Sequence, residues 1–197
     1  PRVDVTDRSS IDALAGKVRD AHGGLDVLVN AAGILTQNLP AEQLPPADFR
    51  TNYEVNVIGT LNVCQAFFDL LRARRGAIVN VASQAALVSL PMQAAYTVSK
   101  GGVAALTRSL AIDWAEEGVR ANCVCPGFTL TPMSEGFFEN PVFTNAAKKR
   151  IPIGRILEAS EIAGAICFLA SPLASAVTGV VMPVDGGWTA GEPALPW

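Results

Sequence analysis

"GAIVNVASQA", residues 76–85, opens on a glycine, runs through Ala77–Val81 with apolar residues on both alternating sets of positions, and turns polar at Ser83 and Gln84. A strand with one wet face alternates apolar and polar residues, whereas a short run that is apolar on both faces is buried on both. Valine-rich runs of the same kind occur at Val3–Val5, Leu25–Val29, Arg120–Val124 and Val180–Val184. Most are separated by segments with helical spacing. Ile11, Leu14, Val18 and Ala21 form one stripe, and Val57, Leu61, Cys64, Phe68 and Leu71 a second. Val103, Leu106, Leu110 and Trp114 form a third, and Ile162, Ile166 and Leu169 a shorter fourth. Apolar strands alternating with helices predict an α/β protein, a doubly wound parallel sheet with helices on both faces. Ser9 or Ser10 is the expected cap of the first helix, and Ser160 that of the last. The helix over Val57–Leu71 is apolar on more than one side, through Ile58, Val63 and Phe67, so a subunit contact is expected beyond the sheet.

The totals narrow the function. A chain of 197 residues, half of them hydrophobic and 17% charged, is long enough for one domain spanning residues 1–197 with a substantial core. A formal net charge of −3 argues against a nucleic-acid partner, which needs a basic footprint. Apolar runs such as Gly76–Ala82 are too short to span a bilayer, so no membrane partner is expected, and no signal-peptide pattern stands at the start. His22 is the only histidine, which leaves no metal site in prospect. Cys64, Cys123, Cys125 and Cys167 all fall in apolar segments and are expected buried and reduced, which points to the cytoplasm. Cys123 and Cys125, on a candidate strand, are assigned to opposite faces of it. Residues 129–156 form the longest irregular stretch, with Pro132, Pro141, Pro152 and Phe137–Phe138, and such stretches are often lids. Ser134–Lys149 is expected to form a short helical lid. The tail "GEPALPW" (191–197) is proline-rich and does not continue the sheet.

In an open parallel sheet, ligands bind beyond the carboxyl ends of the strands. The polar and glycine-rich residues of this chain collect there: "DVTD" (4–7), "NAAG" (30–33), "ASQA" (82–85), "PG" (126–127) and "DGG" (185–187). One further stretch, "AAYTVSK" (94–100), places Tyr96 and Lys100 at i and i+4, side by side on a helix. An adjacent ammonium favours a phenolate and lowers the phenol's pKa. By spacing alone the pair reads equally well as a surface tyrosine beside a solvated lysine.

"NAAG", "NVIG" (56–59), Ser83 placed 13 residues before Tyr96, "YTVSK", "PG" with a later threonine, and "VDGG" occur together in one order. That set resembles the short-chain dehydrogenase/reductase family over nearly the whole chain. The resemblance implies a Rossmann-like fold and an NAD(P)-dependent oxidoreductase that interconverts a secondary alcohol and a ketone. It implies Tyr96 as proton donor or acceptor, and Lys100 as the cation that lowers its pKa and binds the nicotinamide ribose. Ser83 would hold the substrate oxygen, and Asn56 would order a water in a proton relay. For NAD or NADP it implies Asp4 at the adenine amino group and Val5 against the ring. Asn30, Ala31 and Gly33 would line the adenosine ribose. Pro126, Gly127 and Thr131 would meet the nicotinamide, with Thr129 able to take the threonine's place; Tyr96 and Lys100 serve cofactor as well as substrate. The overall pattern looks most like the family's sugar and polyol members, while Gln93 resembles the 3-oxoacyl-thioester reductases. The family is commonly tetrameric, so a homo-oligomer, dimer or tetramer, is expected.

The family's Thr-Gly-x-x-x-Gly-x-Gly turn is absent from the sequence. The chain therefore reads as the remainder of a longer one lacking an N-terminal strand–helix–strand unit. On that reading Val3–Val5 and Leu25–Val29 stand apart, separated by a two-strand gap. The rival from another class is a non-catalytic binding or assembly subunit, favoured if those two runs pair directly.

Overall fold

A computed structural model describes residues 2–191; the tail after Gly191 lies outside the described residues. Helix α1 (Arg8–His22) leads to β1 (Val27–Asn30), then α2 (Pro46–Tyr53) and α3 (Gly59–Arg74). Next come β2 (Ala77–Val81), α4 (Ala94–Asp113) and β3 (Arg120–Pro126). The short β4 (Thr129–Leu130), α5 (Glu135–Phe138), α6 (Pro141–Arg150) and β5 (Leu157–Glu158) precede α7 (Ala159–Ala170) and β6 (Val181–Val184). The main sheet has the order β1-β2-β3-β6, and every pair in it is parallel. This is the α/β architecture expected from the alternating periods.

Strand alternation assigns the two faces. Ile78 and Ala121 pack with α1, α3 and α4, in a cluster holding Ile11, Phe67, Leu71 and Leu110. Val79 and Val124 point the other way, into a cluster with Ile162 and Leu169 of α7. Cys123 and Cys125 lie together in a single cluster with Val57 and Val103, so they share a face. Their assignment to opposite faces is corrected, because residues two apart on a strand point the same way. Cys64 is buried as expected, but Cys167 is exposed; it sits off the Ile162–Leu169 stripe of its helix.

Several polar groups between the sheet and its helices are paired. Asn30 Nδ2 donates to Asn80 Oδ1 at 2.9 Å, and Asn80 Nδ2 donates to Thr107 Oγ1 at 2.9 Å. The Arg120 guanidinium reaches the end of α7, donating to the carbonyls of Leu169 at 2.9 Å, Ser171 at 3.2 Å and Val177 at 3.2 Å. It satisfies carbonyls that a helix terminus leaves open and places positive charge at the negative end of the dipole. Arg120→Met is expected to destabilise the protein by about 2 kcal/mol. Urea unfolding should show this as a lower midpoint at unchanged slope.

Four local expectations need correction. Val3–Val5 is not a strand: Val3 packs on the α1–α3 core, and the chain turns at once through Asp7 N–H to Asp4 C=O at 3.1 Å. It does not pair with β1, whose outer edge leaves Val27 37% and Val29 41% exposed. Asp7, not Ser9 or Ser10, caps α1 by accepting from Ser9 N–H. Glu158 caps α7 in a reciprocal box with Glu161 in place of Ser160, because the carboxylate of Glu161 reaches back to Glu158 N–H at 2.9 Å. Residues 129–156 are not irregular: they hold α5, α6 and β4, and β4 pairs in parallel with β5.

Candidate active site

Tyr96 and Lys100 stand in the first two turns of α4, whose start is packed against the carboxyl end of the sheet. Lys100 is only 5% exposed. Its ammonium lies 5.7 Å from the centroid of the Tyr96 ring and donates to Val81 C=O, at the end of β2, at 3.0 Å. Loss of hydration on burial depresses its pKa from 10.5 to about 8. Ser83 follows β2, accepts Ala85 N–H at 3.1 Å, and stands near enough to Tyr96 for its hydroxyl to lower the phenol's pKa. The three side chains border one cavity of about 360 Å³.

The phenol's pKa moves against expectation. Burial raises it, and the Ser83 hydroxyl only partly opposes that rise. Lys100 shares the cavity, but its ammonium lies beyond hydrogen-bond distance of the ring and is bound to a backbone carbonyl. Desolvation therefore outweighs the neighbouring charge in the ligand-free protein.

Asn56 lies in a π-helical turn, Glu54–Ile58, between α2 and α3. Such turns mark functional sites because the extra residue re-aims a side chain and frees backbone groups. Asn56 Oδ1 accepts Ile34 N–H at 2.8 Å, and Nδ2 donates to Ile34 C=O at 2.9 Å and Ser99 Oγ at 2.9 Å. Its amide thus staples the loop after β1 to α4. A Cβ built on Gly33 would lie 3.1 Å from Lys100 Nζ and 3.2 Å from Asn56 Oδ1. Glycine is what lets this loop approach both groups.

The expected cofactor residues fall into two adjoining cavities. Ala31, Gly33, Pro126, Gly127, Thr129 and Thr131 border the cavity that holds Tyr96. Asp4 and Val5 border a second, of about 600 Å³, and Gly33 is common to both. Asp4 folds back on Thr6, accepting its N–H at 2.9 Å, which holds the carboxyl below its ordinary pKa. Gly127 backs directly onto Asp185, where a Cβ would lie 2.7 Å from Asp185 Cα. Thr129 Oγ1 donates to Gly127 C=O at 3.0 Å, while Thr131 Oγ1 lies 3.1 Å from Ser134 Oγ. Asn30 is the exception: its side chain points inward to Asn80 and Cys64 and borders neither cavity. A trough along the carboxyl ends, open at a glycine junction and carrying a buried ammonium, fits a nicotinamide dinucleotide at both of its ends.

Several residues of the site escaped the sequence reading. Gln84 is buried on the cavity wall with no hydrogen-bond partner for Oε1. Its place directly after Ser83 was the available signal. Phe128 and Met133 also border the cavity, and nothing in their spacing marks them, whereas Phe137, which borders it too, belongs to the expected lid.

Comparison with known proteins agrees with this geometry. The family model described as enoyl-(acyl carrier protein) reductase matches residues 2–189. D-threitol dehydrogenase of Mycolicibacterium smegmatis is 41% identical over 187 residues, 94% of this chain and 71% of the relative. Cis-4-hydroxycyclohexanecarboxylate dehydrogenase of Sinomonas cyclohexanicum is 41% identical over 191 residues, 96% of this chain and 76% of the relative. The structure of a gluconate 5-dehydrogenase from Burkholderia cenocepacia, in complex with NADP and tartrate, superposes with a TM-score of 0.90 at 33% identity, covering 95% of this chain and 74% of that one. The chain belongs to the short-chain dehydrogenase/reductase family, as an oxidoreductase that interconverts a secondary alcohol and a ketone with NAD or NADP.

Proposed function

We propose that Tyr96, Lys100, Ser83 and Asn56 carry the reaction, and the observation that supports this most is a buried lysine beside a tyrosine, with a serine on the wall of the same cavity. The bound nicotinamide supplies or accepts the hydride. Every other part of the chemistry falls to side chains of this chain. Ser83 Oγ holds the substrate oxygen, and Tyr96 Oη delivers a proton to it as charge builds during ketone reduction, or removes one during alcohol oxidation. Lys100 keeps positive charge in a site shielded from water, where it favours the anionic phenol once the tyrosine must give up its proton. Asn56 holds the Gly33 loop against Lys100 and, through that contact, keeps the ammonium aimed at the cavity. Asp4, Val5, Ala31 and Gly33 line the adenosine end; Pro126, Gly127, Thr129 and Thr131 line the nicotinamide end. Asn30 acts there through the backbone turn it anchors. Helices α5 and α6 serve as the lid. The free, buried thiols Cys64, Cys123 and Cys125 support a cytoplasmic location. Among the described residues, no helix is long and apolar enough to cross a membrane.

The test is loss of reduced-nicotinamide absorbance with a simple ketone, run separately with NADH and NADPH. Turnover dependent on the ketone supports the reading; its absence with both cofactors favours the non-catalytic rival. The open edge of β1 is where the family's Gly-rich strand–helix–strand unit would pair.

A homo-oligomer is the expected assembly, a tetramer by analogy with the family. The outer face of α4 carries Val98, Gly101, Ala105 and Ile112, spaced as one stripe that exposed Arg108 and Ser109 border, with Ile112 78% exposed. An apolar stripe of this kind is self-complementary about a two-fold axis. Ile112→Glu should weaken association at least tenfold, read as a shift to smaller species in sedimentation.

A further inference from the structure

The cavity at Tyr96 does not end at the lid. Leu90, Gln93, Phe128 and Phe137 are shared walls between it and a second cavity of about 600 Å³ on the side away from Gly33. Among the described residues, this annex is walled mainly by rings and aliphatic carbon, with Phe143 and Trp188 added to the shared residues. The rings form one packed set. Phe128 meets Phe143 edge-on at 5.5 Å and Trp188 edge-on at 5.0 Å. Volume and lining both fall in the range of small-molecule sites, roughly 300–1,000 Å³.

We infer that the substrate is an apolar secondary alcohol or its ketone, with a ring or branched hydrocarbon body seated in this aromatic annex and its single reacting oxygen at Ser83 and Tyr96. The inference rests on the oxidoreductase reading of the site and names its substrate class. Polarity is graded along the double cavity: Ser83, Gln84, Tyr96, Thr131 and Ser134 stand at the reacting end, and mainly aromatic and aliphatic carbon at the other, where the Arg150 guanidinium lies 4.9 Å from the Trp188 ring centroid. A polyol or sugar would carry hydroxyls into the ring-lined end and strip them of water there. Such a pocket discriminates against a group it cannot pair. Asn38 Oδ1, buried on the annex wall without a partner, offers one acceptor part of the way along. With Gln93 and Arg150 as the other polar side chains on its wall, the annex offers few partners for the several hydroxyls of a polyol. This departs from the sugar or polyol subclass that the sequence pattern suggested.

The test compares ketones in the full-length enzyme with its preferred nicotinamide: acetone, benzylacetone, fructose and an acetoacetyl thioester. Benzylacetone should exceed both acetone and fructose in kcat/KM by at least 100-fold. The benzylacetone-to-acetone ratio should fall at least tenfold in Phe143→Ser, and also in Ala146→Trp. The second variant fills the annex from an exposed position on α6 and keeps the test valid if the first fails to fold. Binding is read independently through quenching of Trp188 fluorescence by benzylacetone, which should saturate and be lost in Trp188→Phe. Preference for fructose or for the thioester overturns the inference and leaves the oxidoreductase reading intact. Saturable quenching without turnover of any ketone supports the annex and sinks the oxidoreductase reading. Neither quenching nor turnover overturns the inference.

Discussion

Tyr96→Phe will lower turnover by about 10²–10⁴-fold while the protein keeps its fold, since only a hydroxyl is lost. On the proposed assignment the phenol supplies the proton to the substrate oxygen, and water admitted to the cavity is a poor replacement at fixed geometry. The pH dependence follows from the shift. Burial raises the phenol's pKa and the Ser83 hydroxyl partly lowers it, so at neutral pH the free enzyme holds the phenol protonated. Ketone reduction needs that proton and should be flat on the acid side of the phenol's pKa. Alcohol oxidation needs the phenolate and should climb as pH rises towards it. Ser83→Ala removes the hydroxyl that lowers the pKa, so the oxidation limb should move to higher pH as well as fall in height. Initial rates in both directions across pH 6–10, a range of about two units on each side of the depressed Lys100 value near 8, would decide it. Tyr96→Phe activity within tenfold of the parent protein would remove the tyrosine from the mechanism.

Lys100→Met should do two opposite things. Turnover should fall at least 100-fold, because the proposed roles of the ammonium, steadying the phenolate and holding the ribose, would both be lost. Stability at pH 7 should rise. Moving the ammonium's pKa from 10.5 to about 8 corresponds to roughly 3 kcal/mol of burial cost at about 1.4 kcal/mol per unit. Unpairing the Val81 carbonyl returns about 1 kcal/mol of that, leaving a net gain of about 2 kcal/mol. The sign with pH is fixed by linkage. Between about 8 and 10.5 the unfolded lysine holds a proton that the folded one has released, so raising pH stabilises the parent protein. The advantage of Lys100→Met is therefore full below pH 8 and shrinks as pH climbs towards 10.5. Denaturant unfolding of both proteins at pH 7 and pH 10 measures the difference directly. A variant less stable than its parent at pH 7 would show that Lys100 is held by more than it costs.

Read from residues alone, the chain already declared its architecture. Ala77–Val81 and its counterparts are apolar on both sides, and a strand buried on both faces has no other economical home than a parallel sheet between helices. Helical spacing joined Tyr96 and Lys100 without deciding their role; it was the resemblance to the short-chain dehydrogenase/reductase family that brought Ser83 to them. Two kinds of error came from the limits of local pattern. Val3–Val5 has a strand's composition, yet pairing depends on a neighbour that no short window reveals. Capping by Asp7 and Glu158 instead of serines turned on which side chain reaches a free N–H, a matter of one residue in register. Phe128 and Trp188 are 60 positions apart in the chain and touch only because β3 and β6 lie side by side. The annex they wall is a product of that pairing and of α5 and α6 folding over it. Likewise the direction of the Tyr96 shift was decided by burial, which no spacing encodes. Sequence period and side-chain chemistry determined the sheet and the reacting groups; long-range packing alone determined how dry those groups are, what polarity surrounds them, and so which substrate they can admit.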